Sequence, residues 1–213
     1  MNNNAEPTPA NITDRPLSRQ SIRLQMRARR NSLTDSEQTL AAQRLCQRLS
    51  QHPAIQHANH IAAYLANDRE LSLHPFIEWC WQQHKQVYLP VLHPFCTGYL
   101  IFIENLPTSD MRANRFGILE PKSTVSHLCP LNQLNTILTP LVAFDRYGAR
   151  LGMGGGFYDR TLANWFNHQQ SSKLNTLKVM GIAHDCQQVE AIPTQLWDIP
   201  LPEIITPSQS FSY

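Results

Sequence analysis

A ten-residue apolar run at 136–145, TILTPLVAFD, is followed first by a cluster of glycines and then by a helical pattern. An apolar run of this length without a polar face predicts a strand that is buried on both sides. Five of the eight glycines in the chain lie within residues 148–156, and the helical pattern continues to about residue 167. A buried strand that leads through a glycine-rich turn into a helix is typical of α/β proteins.

Strand and helix patterns alternate along the rest of the chain. Strands are predicted at 60–66, 86–92, 98–106, 178–185 and 202–206. Helices are predicted at 17–30, 34–51 and 73–85. The second of these helices begins with the capping-box pattern of Thr34 and Glu37. Together the patterns predict an α/β fold of three layers, in which helices cover both faces of a central, largely parallel sheet.

The length of the chain, 213 residues, is sufficient for one domain with a sizeable core, which we assign to residues 17–213. Residues 1–16 are polar and contain prolines, so we expect a disordered N-terminal lead. This lead has no basic region followed by an apolar region, and we therefore do not expect it to be a signal peptide.

The composition favours a cytoplasmic protein. The net charge of +2 does not require a nucleic-acid partner, and no apolar run in the sequence approaches the length of a membrane span. The five cysteines are irregularly spaced and form no C-x-x-C pair, which predicts free thiols in a reducing compartment. We expect a monomer whose partners are small molecules, with no nucleic acid and no membrane.

The glycine cluster predicts a phosphate site, because a glycine-rich turn before a helix presents free backbone N–H groups and the positive end of the helix dipole. Two common templates are absent. The Walker pattern requires a lysine that the loop lacks, and the dinucleotide fingerprint requires a glycine where the chain has Phe157. The alternative is a tight packing turn between strand and helix. The flanking charges of Arg150, Asp159 and Arg160 favour the phosphate site.

The segment TPLVAFDRYGARLGMGGGFYDRTLANW, residues 139–165, resembles the signature of the 5-formyltetrahydrofolate cyclo-ligase family, also called 5,10-methenyltetrahydrofolate synthetases. Five further segments resemble other blocks of this family and follow the family's order: LSRQSIRLQMRARR (17–30), YLANDREL (64–71), VYLPVL (87–92), RFGILEP (115–121) and WDIPLPEIITP (197–207). The resemblance therefore spans residues 17 to 207, nearly the whole chain.

This resemblance implies an ATP- and Mg²⁺-dependent ring closure, in which 5-formyltetrahydrofolate becomes 5,10-methenyltetrahydrofolate and ADP and phosphate are released. In the mechanism ascribed to the family, the formyl oxygen attacks the γ-phosphate and N10 of the folate then closes on the activated carbon. Such a reaction requires positioning and charge stabilisation rather than a covalent protein nucleophile.

The resemblance also implies roles for individual residues. The ATP-binding residues would be Arg19, Arg23, Arg150, Leu151, Gly152, Met153, Gly154, Gly155, Gly156, Phe157 and Tyr158. The folate-binding residues would be Leu65, Glu70, Met153, Gly154, Gly155, Gly156 and Phe157. Asp159 and Asp198 would bind Mg²⁺, and Arg150 and Tyr158 would act in catalysis, where Tyr158 either stacks on a ring or orients the formyl group. Arg19 departs from the lysine that is usual in the family, and arginine is not a geometric copy of lysine.

Simpler interpretations remain open for these residues. Asp159 is also the kind of acid that the dipole favours in a first helical turn. Glu70 could end an exposed turn, and Arg19 and Arg23 could belong to a solvated helix face. For the whole protein, the alternatives are a folate- or nucleotide-binding protein without turnover, an ATP-dependent enzyme for another formylated or carboxylated small molecule, and an RNA-binding arm in the first helix.

Overall fold

A computed structural model describes residues 18–122, 125–169 and 177–213. The predicted lead at 1–16 lies outside the described residues, and so does the segment 170–176. The helices are α1 (Arg19–Asn31), α2 (Asp35–Gln51), α3 (Pro53–Gln56), α4 (His74–Gln82) and α5 (Phe157–Gln169). Among these ranges, no helix has the length and the apolar character that a membrane span requires.

The strands fall into one large sheet and two small hairpins. They are β1 (His60–Ala62), β2 (Gln86–Leu92), β3 (Leu100–Glu104), β4 (Met111–Ala113), β5 (Leu119–Pro121), β6 (Leu128–Cys129), β7 (Thr136–Pro140), β8 (Ala143–Phe144), β9 (Arg150–Leu151), β10 (Lys178–Ile182), β11 (Glu203–Ile205) and β12 (Ser210–Ser212). The large sheet has the order β12-β11-β10-β7-β1-β2-β3-β6. Its five central strands, from β11 to β2, are mutually parallel, and the strands at both edges are antiparallel.

Helices cover both faces of this sheet, so the predicted three-layer α/β arrangement is confirmed. Successive strand residues point to opposite faces, and their packing follows that rule. Ile61 and Leu138 pack in a cluster with Leu45 of α2 and Phe76 of α4. The neighbouring residues Ala62 and Ile137 belong to a second cluster, which contains Leu162 and Trp165 of α5.

The prediction of one buried strand at 136–145 is wrong, because this run contains two strands in different sheets. β7 ends at Pro140, which has no N–H to donate, and β8 pairs antiparallel with β9 in a separate hairpin. Helix α1 covers this hairpin, packing Ile22 and Met26 against Val142, Ala143 and Leu151. In the second half of the run, Val142 and Ala143 pack beneath α1, whereas Leu141 and Phe144 pack in the cluster that contains Ile137 of the central sheet. The run is therefore apolar throughout although it changes sheets.

The predicted strand at 60–66 also extends too far, since β1 ends at Ala62. The residues that follow leave the sheet, and Tyr64 and Leu65 line a cavity instead. The first two helices are close to their predicted bounds. Thr34 caps α2 and forms the expected capping box with Glu37.

Candidate active site

A cavity of about 390 Å³ opens at the carboxyl ends of the central parallel strands. Tyr64 and Leu65, which follow β1, line one side, and Pro140 and Leu141, at the end of β7, line the other. β1 and β7 are neighbours in the sheet. The central strand that follows β1 in the chain is β2, on one side of this pair, and the central strand that follows β7 is β10, on the other side. The cavity therefore lies at the topological switch point, where open α/β sheets bind their ligands.

The walls of this cavity are mostly apolar. Strand β2 contributes Leu89 and Leu92, and the turn between β4 and β5 contributes Phe116 and Ile118. Phe116 also meets Phe157, the first residue of α5, edge to face, with ring centroids 5.9 Å apart. An apolar enclosure with few polar groups is suited to a flat organic ring system.

The glycine loop between β9 and α5 forms one wall of the cavity. Gly154 has φ +107°, a conformation that a residue with a side chain rarely adopts. At Gly152, a Cβ atom would meet no other atom within 4 Å, so this backbone faces open space. The N–H groups in the first turn of α5 have no intrahelical acceptor and lie directly after the loop. The loop can therefore approach an anionic ligand through its backbone.

Helix α1 directs arginines toward this loop. The Arg23 Nε donates a hydrogen bond to the Gly152 carbonyl at 2.9 Å. The Arg19 guanidinium forms an ion pair with Asp198 and also donates to the Pro193 carbonyl at 3.1 Å. A second cleft, of about 190 Å³, separates α1 from Met153 and is lined by Arg23, Arg27 and Arg30. The basic face of α1 thus borders the glycine loop and is not wholly directed to solvent.

Arg150 is a buried charge at the edge of the cavity, with only 5% of its surface exposed. Its Nη2 lies 2.5 Å from Asp159 Oδ1, and its Nε donates to the Ile199 carbonyl at 3.2 Å. Burial lowers the pKa of the Arg150 guanidinium, whereas the charge of Asp159 opposes that change. Asp159 therefore has a structural task, because it compensates a positive charge that water does not reach.

Asp159 and Asp198 have the chemistry that Mg²⁺ prefers, but each is paired with an arginine. Asp159 contacts Arg150, and Asp198 contacts Arg19, whose hydrogen bond lowers the pKa of Asp198 against the opposing effect of burial. Within the described ranges, no group of three or more His, Cys, Asp or Glu side chains forms a metal site. Mg²⁺ is commonly bound by one or two carboxylates together with substrate phosphates and water. The two aspartates fit that smaller contribution.

Glu70 brings a carboxyl group to the cavity beside the apolar walls. Burial raises the pKa of this carboxyl to about 7, an effect that the hydrogen bond from the Asn67 amide opposes. Tyr158 lies in the same enclosure, and its buried hydroxyl has no hydrogen-bond partner among the described residues. Burial, with the nearby charge of Glu70, raises the pKa of Tyr158, so this hydroxyl stays protonated and can donate to a ligand.

Most of the residues predicted for the site lie together. Those that line the cavity are Leu65, Glu70, Arg150, Gly152, Met153, Gly155, Gly156, Phe157, Tyr158 and Asp159. Arg19, Arg23 and Asp198 do not line the cavity: Arg23 contacts the glycine loop at Gly152 and faces Gly154, and Arg19 and Asp198 form an ion pair with each other. Leu151 is separate, since its side chain is fully buried beneath α1. It is the last residue of β9, directly before the loop, and its side chain cannot contact a ligand in the cavity.

The structure adds residues that the sequence did not single out as site residues. Glu120 is 6% exposed, lines the cavity and accepts a hydrogen bond from Asn114 Nδ2 at 3.2 Å. The sequence did point to Glu120, because it lies in RFGILEP, one of the segments that resemble the family. That resemblance did not indicate what Glu120 does. Tyr64 also lines the cavity, while its hydroxyl donates to the Leu71 carbonyl at 2.7 Å. Nothing in the sequence pattern distinguishes Tyr64 from a core tyrosine.

Comparison with known proteins gives a consistent result at the levels of family, sequence and structure. The profile of the 5-formyltetrahydrofolate cyclo-ligase family matches residues 15–207. The 5-formyltetrahydrofolate cyclo-ligase of Escherichia coli K12 is 46% identical over 188 residues, which cover 88% of this chain and 100% of the relative. The Haemophilus influenzae enzyme of the same name is 47% identical over 187 residues, covering 88% and 96%.

Two solved structures share the fold. The Aquifex aeolicus 5,10-methenyltetrahydrofolate synthetase superposes with a TM-score of 0.73 at 24% identity, covering 91% of this chain and 92% of that protein. The Mycoplasma pneumoniae 5,10-methenyltetrahydrofolate synthetase gives a TM-score of 0.67 at 23% identity, covering 90% and 99%.

Proposed function

The chain belongs to the 5-formyltetrahydrofolate cyclo-ligase family, and we propose that it catalyses the ATP-dependent cyclisation of 5-formyltetrahydrofolate to 5,10-methenyltetrahydrofolate. One observation carries this proposal beyond family membership. The glycine loop is at once a wall of the apolar cavity and the neighbour of the α1 arginines. A ring system in the cavity and a phosphate chain on the loop would therefore be in contact.

The reaction needs this contact. The formyl oxygen bonds to the γ-phosphorus as the bond to ADP breaks. N10 then bonds to the formyl carbon, the carbon–oxygen bond breaks with phosphate as the leaving group, and the proton on N10 is released. Holding the two reactants in such an arrangement can supply a large part of the rate enhancement.

Charge stabilisation is the task that we assign to the arginines. Arg19 and Arg23 approach the loop from α1 and would bind the ATP phosphates together with the loop backbone. The buried Arg150 would stabilise negative charge that develops on the transferred phosphoryl group, since a fixed charge in a dry site acts strongly. Leu151, Gly152, Met153 and Gly154 would contribute backbone to the same phosphate site.

Mg²⁺ belongs to the proposal through Asp159 and Asp198, which would hold it beside the phosphates. The donor type supports this assignment, and each aspartate would have to exchange an arginine for the ion. When bound, Mg²⁺ would supply charge neutralisation at the phosphates.

The folate would occupy the apolar cavity. We propose that Glu70 accepts hydrogen bonds from the donor groups of the pterin ring and that Leu65, Met153 and Phe157 contact its faces. Gly155 and Gly156, which also line the cavity, would leave room between the ring and the phosphates. The unpartnered hydroxyl of Tyr158 would orient the formyl group by donating a hydrogen bond to its oxygen.

The direct test is to mix purified protein with ATP, Mg²⁺ and 5-formyltetrahydrofolate and to follow the near-ultraviolet absorbance of the methenyl product. We expect absorbance to rise only when all components are present, and omission of ATP or chelation of Mg²⁺ should abolish the rise. Folate binding without any product, measured calorimetrically on the same preparation, would contradict the proposal and favour a binding protein.

A cytoplasmic location is also proposed. Its support is that all five cysteines are free, as expected in a reducing compartment. Expression of a fusion to a fluorescent protein would test it, and fluorescence confined to another compartment would contradict it.

A further inference from the structure

The turn that follows β1 has an unusual backbone. Asp68 and Arg69 are consecutive residues with φ of +49° and +55°, in the left-handed region that residues with side chains rarely occupy. Neither is glycine, so the conformation is unfavourable in itself. Such a conformation persists only where surrounding contacts hold it, and it is concentrated near functional sites.

Asp35 and Gln38 of α2 contact Arg69, whereas the contacts of the Asp68 side chain come from helix α1. One carboxylate oxygen of Asp68 accepts hydrogen bonds from Arg27 Nε and from Arg30 Nη2, both at 2.8 Å. Arg30 is fully buried, and its Nε and Nη1 have no hydrogen-bond partner within the part of the chain that the structure describes. Asp68 is therefore the ion-pair partner of a buried charge. Removing one partner of such a pair is strongly unfavourable.

The same turn positions Glu70. The Glu70 amide donates to the Asn67 carbonyl at 2.9 Å, and the Asn67 amide donates to Glu70 Oε2 at 3.1 Å. These two hydrogen bonds enclose Asp68 and Arg69. A change in the conformation of Asp68 would therefore move the Glu70 carboxyl relative to the cavity that it lines.

Helix α1 serves the other side of the site as well. Arg23, which contacts the glycine loop, precedes Arg27 by four residues and Arg30 by seven, so the three lie on one face along about 10 Å of helix. A helix is rigid over this length. The ligand that engages Arg23 and the ligand that engages Glu70 are consequently connected through one rigid element.

We propose that Asp68 is a positioning residue, which joins α1 to the turn at 67–70 and thereby couples nucleotide binding at Arg23 to folate binding at Glu70. This inference rests on the proposed function, because it requires both ligands to bind. Coupling is reciprocal: nucleotide raises the affinity for folate by the same factor by which folate raises the affinity for nucleotide.

The test uses calorimetric titration of 5-formyltetrahydrofolate with and without a non-hydrolysable ATP analogue and Mg²⁺. For the unaltered protein we expect the analogue to tighten folate binding by at least about fivefold, the lower range of typical coupling. Asp68→Asn keeps the shape and tolerates the left-handed conformation but removes the charge. We expect this variant to lose most of the coupling factor while its affinity for the analogue alone stays within about twofold.

Two further variants keep the result interpretable. Asp110→Asn makes the same chemical change in an exposed ion pair with Lys122 and should leave the coupling factor unchanged. If Asp68→Asn does not fold, the double variant Asp68→Asn/Arg30→Met removes the buried charge with its partner, and we expect it to fold and to lose coupling. A merely structural role would lower thermal stability without changing the ratio of the two folate affinities.

The outcome that overturns the inference is a coupling factor in Asp68→Asn equal to that of the unaltered protein, or no coupling in the unaltered protein. Neither result would contradict the proposed function if Glu70→Gln still weakens folate binding. Failure of the proposed function is recognised separately, because the unaltered protein then forms no methenyl product, whether or not it binds folate and the ATP analogue.

Discussion

At the level of single residues, the carboxyl group of Glu70 makes the stability of the folded protein depend on pH. Its carboxyl has one hydrogen bond from the backbone, from Asn67, and burial raises its pKa to about 7. The folded protein therefore binds a proton more tightly at this group than the unfolded chain does. Stability from this effect is fully present below the unfolded pKa of 4.5 and is lost as the pH rises through about 7.

Glu70→Gln should reverse that loss. Because Gln carries no charge, we expect the variant to be more stable than the unaltered protein by about 1–2 kcal/mol at about pH 8. The difference should vanish near about pH 5, where Glu70 is protonated in the folded state. Thermal unfolding of both proteins across this range measures it, with the exposed Glu190→Gln as a matched control. A stability difference that does not change with pH would contradict the assigned pKa.

The Arg150–Asp159 pair shows what sequence cannot reveal about a single residue. The sequence placed Asp159 in the first turn of a helix beside a glycine loop, which was sufficient to suggest a ligand for Mg²⁺ or a residue favoured by the dipole. It gave no indication that this carboxylate lies 2.5 Å from a buried guanidinium. That contact joins β9 to the start of α5, and the path of the loop between them depends on tertiary packing.

At the level of elements, α1 combines two tasks on different faces. Ile22 and Met26 pack against the β8–β9 hairpin, while Arg19 and Arg23 reach Asp198 and the Gly152 carbonyl. The four-residue spacing of each pair was visible in the sequence. The spacing did not reveal what the arginines contact, because a row of arginines at that spacing is equally typical of a solvated helix face.

Arg19→Ala and Arg23→Ala should raise the KM for ATP much more than the KM for folate, by about tenfold or more for each lost charge contact with phosphate. The physical reason is that Arg23 contacts the glycine loop and Arg19 pairs with Asp198, while neither arginine lines the apolar cavity. Steady-state kinetics with each substrate varied in turn provide the measurement. Arg44→Ala, an exposed arginine of α2, is the control. Equal changes in both KM values would contradict the prediction and indicate a general structural role for these arginines.

Element prediction succeeded where local signals were strong and failed where the chain changes sheets. The capping box at Thr34 gave the start of α2 because its hydrogen bonds are local. The apolar run at 136–145 misled because a residue buried under α1 and one buried in the central sheet are equally apolar. The sequence analysis did not predict the short strands β4, β5, β6, β9 and β12, because an alternating pattern cannot be recognised in two or three residues.

At the level of the whole molecule, the order of the strands creates the site. β1 leads to β2 on one side and lies beside β7, which in turn lies beside β10 on the other side. This reversal opens the crevice that holds Glu70 and Leu65 against the glycine loop. The sequence predicted a largely parallel sheet with helices on both faces. It could not give the strand order, because pairing joins residues that are far apart in the chain.

In the proposed reaction, folate in the cavity lies against ATP on the glycine loop, with the formyl oxygen beside the γ-phosphate. The most direct measurement uses 5-formyltetrahydrofolate labelled with ¹⁸O in the formyl group and follows the label by mass spectrometry of the inorganic phosphate that is released. We expect one ¹⁸O atom in each phosphate formed, because the formyl oxygen leaves bonded to phosphorus. Unlabelled phosphate, with the ¹⁸O recovered in water, would contradict it.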